Sequence, residues 1–123
     1  MADREDEIME ALAATISVVY SILVDVCQML PVPIGLPTDQ HIPATDAIPA
    51  IRRVAKLAKD QPMGETQEAQ LFTGCIHLLA AMDLYGLCAA NWVETRAEGA
   101  GANLIYAREA LVSLGAWLAS QAD

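Results

Sequence analysis

The stretch Leu71–Trp92, LFTGCIHLLAAMDLYGLCAANW, decides how the rest of the chain is read. It is almost long enough to cross a bilayer, for which about 20 apolar residues are needed, yet His77 and Asp83 stand in its middle. Either it spans a membrane with two polar groups inside, or it is an inner helix of a water-soluble bundle. Placed on a helical wheel, Thr66, Gln70, Thr73 and His77, then Cys88, Asn91 and Thr95, form one polar stripe, interrupted by Ala80, Ala81 and Leu84. A lipid-facing span would not keep such a stripe, and Glu65 and Glu68 at its start are the opposite of a basic membrane anchor. The soluble bundle is therefore the expectation. On that reading the helix runs from Glu65 to about Arg96, and its glycines and alanines keep it thin enough for close neighbours.

Working outward, the segment from about Asp3 to Leu30 is a second long helix. Glu7, Glu10, Ala14, Ser17, Ser21, Asp25 and Gln28 fall on one narrow stripe, leaving Ile8, Leu12, Ile16, Val19, Leu23 and Val26 to be covered by several neighbours. Pro31–Thr45 (PVPIGLPTDQHIPAT) contains four prolines, which remove donors and hold φ near −65°, so it reads as an extended connector, either a strap or a gate. A short basic helix follows from about Ala47 to Lys59, with Asp46 as its N-cap and Pro49 in its first turn. EGAGAN, Glu98–Asn103, reads as a helix break. The last helix, from about Asn103 to Ser120, repeats Leu104, Leu111, Leu114 and Leu118 as a coiled-coil-like seam. The expected fold is all-α: a single domain over residues 1–123, a four-helix bundle with two long inner helices, one short basic helix and a Pro-rich connector.

Composition agrees with a bundle. Apolar residues reach 54% but aromatics only 5%, so the core has to be built from Leu, Ile, Val and Ala, a helix-forming mixture. The net charge of −9, with Asp3, Glu5, Asp6, Glu7 and Glu10 crowded at the start, disfavours nucleic acid and anionic lipid as partners. Three cysteines and no secretory order in the first ten residues point to a reducing, cytoplasmic setting and to buried thiols rather than disulfides.

Few constellations carry chemistry. Cys75 and His77 point to opposite faces of their helix, and Cys88 lies about three turns on, so no metal set forms locally, and no cofactor is implied. The histidines, His41 in the connector and His77, have no nucleophile elbow near them. Glu7/Glu10 and Glu65/Glu68 have the i, i+3 spacing of carboxylates that hold Mg²⁺ in helical nucleotide hydrolases. In an up-down bundle they would lie at one end, but no Glu-x-x-Asp follows them. Asp83 lies on the wheel among Phe72, Ile76, Leu79 and Leu87, where a buried carboxylate would need Arg52, Arg53 or Arg108 as a partner.

The leading expectation is a non-enzymatic, acidic interaction module of bacterial or phage style. It acts as an adaptor, regulator or inhibitor and pairs as a homodimer or with another protein through Leu104, Leu111, Leu114 and Leu118. The alternative is a bundle that binds a small molecule between its long helices, using His77, Asp83, Tyr85 and Trp92. Metal-dependent nucleotide hydrolysis and membrane association rank below both.

Overall fold

The computed structural model describes residues 2–39 and 42–122; His41 and its neighbour Gln40 in the connector lie outside them. Those residues form an all-α bundle: α1 (Ala2–Met29), α2 (Ala44–Leu57) followed by a 3₁₀ turn (Ala58–Asp60), α3 (Glu65–Ala90) and α4 (Glu94–Gln121). The seven positions of the polar stripe of α1, Glu7 through Gln28, are all exposed, while Leu12, Val19, Leu23, Val26 and Cys27 are buried, as the wheel requires.

The path of the chain departs from the up-down expectation. Arg4 bonds Glu94 at 2.8 Å near the starts of α1 and α4, and a Cβ on Gly115 would meet Val26 at 3.6 Å, so these two helices run parallel. A short turn, Asn91–Val93, makes α3 antiparallel to α4, and another, Gln61–Gly64, makes it antiparallel to α2. Helices α1, α2 and α4 therefore all run one way, and α3 alone runs the other. The cause is the connector: its prolines keep it extended, at about 3.1 Å per residue, long enough to carry the chain back along the bundle. Glu7/Glu10 and Glu65/Glu68 consequently sit at opposite ends, and no cluster of three or more metal-ligating side chains occurs among the described residues.

Two helix boundaries also differ from the sequence reading. Helix α2 starts at Ala44, ahead of Asp46, which makes no side-chain cap; the Pro43 carbonyl instead accepts the N–H groups of Asp46 (2.9 Å) and Ala47 (3.0 Å). Pro49 is thus inside the helix and leaves the Thr45 carbonyl without its i+4 donor. The second difference is larger. The chain breaks at Asn91–Val93, where Asn91 and Val93 are both extended, and EGAGAN lies within α4. Each helical glycine costs about 1 kcal/mol against alanine. Packing outweighs that cost here, because Ala97 and Ala100 are buried, and a Cβ on Gly99 would come within 3.1 Å of Leu84 Cδ1.

The same close approach turns α3 over. Leu111 of α4 fills the space above Gly74, where an added Cβ would lie 2.5 Å from its Cδ2. That contact directs the polar stripe of α3 toward α4: Thr73 and His77 are half-buried, Cys88 is buried, and Gln70 Oε1 is buried with no partner among the described residues. Phe72, Ile76 and Leu87 face outward instead. The leucine seam needs the matching correction. Leu104, Leu111, Leu114 and Leu118 are at most 6% exposed, covered by α1 and α3 of the same chain, so they present no interface.

Candidate ligand groove

Helix α3 touches every other helix, whereas no Cα of α1 lies within 8 Å of one in α2 among the described residues. A bundle closed on all sides would have that contact. In its place is a groove of about 970 Å³ with α3 as its floor. Helix α1 supplies one wall, with Ile16, Tyr20 and Val24 beside Ser17, Ser21 and Asp25. The start of α2 (Ala47 and Ile48) and the connector (Thr38, Asp39, Ile42 and Pro43) form the other, and Met82, Tyr85 and Gly86 lie beneath.

The connector is both strap and rim. Its first half is tied down at three points. The buried Gln61 side chain grips Val32, with Oε1 accepting its N–H (3.0 Å) and Nε2 donating to its carbonyl (2.7 Å). Ile34 N–H donates to Cys27 O (3.1 Å), and the Tyr20 hydroxyl donates to Pro37 O (2.7 Å). Beyond Pro37, Thr38, Asp39, Ile42 and Pro43 line the groove. Partial burial raises the Tyr20 pKa above its ordinary value, with the nearby Cys27 thiol adding to the effect, so the hydroxyl keeps its proton and remains a donor.

Of the expected pocket residues, only Tyr85 lines the groove. His77 lies at the α3–α4 junction, half-buried, with Nδ1 2.7 Å from Asn103 Oδ1 and its ring centroid 5.4 Å from that of Tyr106. Asn103 Nδ2 donates to Gly99 O (2.9 Å), which orients Oδ1 toward the imidazole and makes Nδ1 the donor. Trp92, in the α3–α4 turn, packs half-buried against the core. Asp83 is exposed on the outward stripe of α3 and makes no ion pair among the described residues; water hydrates it, so the arginine partner expected for a buried carboxylate is not needed.

Two of the three thiols are inert by environment. Burial pushes Cys27 up to about 12, and raises Cys75 further with a contribution from Cys27, so neither supplies a thiolate at neutral pH. Asp25 and Asp39 are the only charged side chains among the described residues of the groove. Sequence reasoning missed Tyr20, Asp25, Asp39 and Met82 as a group. Their one legible signal was that Ser17, Ser21 and Asp25 share a stripe on α1 and read equally well as a solvated face. The chain matches no known family model, no curated protein and no solved structure.

Proposed function

We propose that this protein is a non-enzymatic binding module whose ligand is a small, largely apolar molecule held in the groove between α1 and α2. One observation carries the reading: the bundle is open along one side, where apolar side chains from α1, α2 and α3 surround about 970 Å³. Ligand sites are concave, mostly apolar, carry a few placed polar groups and fall within about 300–1,000 Å³. Ser17, Ser21 and Tyr85 would orient the guest while Ile16, Val24, Ile48 and Met82 shed water onto it. The test uses the neutral fluorophore Nile red. The wild-type chain is expected to bind it saturably, and Gly86→Phe or Ser21→Trp to abolish binding without loss of helicity. Gly86 suits this test because a Cβ there meets nothing within 4 Å. Undiminished binding by both variants refutes the reading.

A second reading, self-association or docking on another protein, keeps the interaction-module expectation but moves it to a different surface. Phe72, Ile76 and Leu87 of α3 and Ile105 and Val112 of α4 are 41–59% exposed, large apolar side chains left on the outside of two helices. Burial of such helices in an assembly would be the usual outcome. Native mass spectrometry and sedimentation of the wild type against Ile105→Lys test this. A monomer at all concentrations removes self-association. Helices α1 and α3 are also long and apolar enough to cross a membrane by length and composition. Recovery of the chain in the aqueous fraction without detergent is expected under both readings, consistent with a cytoplasmic setting.

A further inference from the structure

The groove carries a charge pattern as well as a shape. The two charged side chains among its described residues, Asp25 on α1 and Asp39 on the connector, both line it and are both exposed. No lysine or arginine lines the groove among the described residues. The basic residues of α2 and the 3₁₀ turn after it, Arg52, Arg53, Lys56 and Lys59, begin a full turn beyond Ile48, the last groove residue of that helix. The chain as a whole adds a field of the same sign as the two aspartates, at a net charge of −9. Inside the rim the surface is mostly apolar and includes the rings of Tyr20 and Tyr85, whose faces attract cations. A carboxylate or phosphate guest would enter against two like charges and meet no lysine or arginine among the described lining residues, whereas a protonated amine would gain both.

We propose that the groove selects an amphiphilic organic cation, with its apolar body against Ile16, Tyr20 and Met82 and its ammonium group at the rim beside Asp25 and Asp39. This rests on the groove being a ligand site, and it names the class of ligand. Both aspartates are solvent-exposed, so each pairing is of the modest kind; together they favour the amine by about tenfold. Screening should erode that preference as salt rises from about 10 mM to about 1 M, because the Debye length falls from about 30 to about 3 Å.

The experiment measures binding of decylammonium, decanol and decanoate by calorimetry, below the micellar concentrations of the two ions and the aqueous solubility of the alcohol. The expected order is amine, then alcohol, then carboxylate, with the amine's advantage abolished in Asp25→Asn/Asp39→Asn and shrinking with salt. A control variant, Asp83→Asn/Glu109→Gln, removes two exposed acids elsewhere on the surface and is expected to leave the advantage intact. Equal affinity for amine and alcohol overturns the proposal while leaving the groove reading standing. An amine advantage that survives in Asp25→Asn/Asp39→Asn also overturns it, since the preference then belongs to the overall charge. If none of the three compounds binds, the groove reading fails and takes this proposal with it.

Discussion

Removing the Gln61 side chain tests how the connector is held. The amide makes two hydrogen bonds to one residue, accepting from Val32 N–H at 3.0 Å and donating to Val32 O at 2.7 Å, and Gln61 itself is 5% exposed. A net hydrogen bond contributes about 1 kcal/mol. Val32 is 56% exposed, so water can reach its freed backbone groups, and the larger penalty for orphaned buried polar atoms does not apply. Gln61→Ala is therefore expected to cost about 2 kcal/mol. For 123 residues, this lowers the melting temperature by about 8 °C. Gln61→Glu sharpens the test. Ionised, the introduced carboxylate can still accept from Val32 N–H, but its second oxygen faces the Val32 carbonyl. Protonated, it can donate there as the amide does. Its folded pKa should thus lie above the unfolded value of about 4.3, so the stability it contributes is full below that value and is lost as pH rises through the folded pKa. The variant should approach wild type near pH 4 and fall furthest below it at neutral pH. Chemical denaturation across pH, with amide exchange at Val32 as a local probe, reads both effects. A cost below about 0.5 kcal/mol for Gln61→Ala would show that water replaces the clamp without loss. A pH-independent deficit for Gln61→Glu would refute the proposed geometry.

Five further outcomes are expected. Gly74→Ala should destabilise by about 1–2 kcal/mol, the overpacking against Leu111 exceeding the gain in helix propensity. Gly86→Ala and Gly101→Ala, which meet nothing within 4 Å, should each stabilise by about 0.5–1 kcal/mol in urea titrations. Cys27, Cys75 and Cys88 are all buried, so a thiol reagent should label them slowly in the folded chain and rapidly in denaturant. Cys27, Cys75 and Tyr20 have pKa values raised by burial, so their contribution to stability is complete below their unfolded values and is lost as pH climbs through the folded ones. The melting temperature should accordingly decline from about pH 9 upward. Finally, Asp83→Leu should leave stability within about 0.5 kcal/mol of wild type, as an exposed site predicts; a large loss would mean that a hidden ion pair had been broken.

Legibility followed the physics of each segment. The narrow stripe of α1 was readable because a single face is polar and every member of it, Glu7 to Gln28, meets water. The leucine seam of α4 was readable as a buried periodicity, but not its partner: the same spacing serves a neighbour within the chain or across a dimer. EGAGAN misled because glycine lowers local helix propensity, whereas Gly99 and Ala100 fit a neighbouring helix at short range, and that contact is tertiary. Helix α3 hid its orientation for a related reason. With apolar residues on nearly every side, its facing is set by the Leu111 side chain above Gly74, which no wheel can display. The groove was the least visible feature, since it arises from a contact that α1 and α2 do not make.

The return path of the connector has a consequence for how the molecule could be taken apart. Short turns join α2, α3 and α4 into one continuous piece, whereas α1 reaches its place beside α4 only through residues 30–43. Cleaving the backbone between Pro37 and Ala44 would therefore yield two fragments held together without a covalent link, by side-chain packing, the Gln61–Val32 hydrogen bonds and the Arg4–Glu94 ion pair. The larger fragment would then have a vacant berth, and a synthetic peptide corresponding to α1 could compete for it. Two intact molecules could likewise trade their first helices without altering a single interior contact.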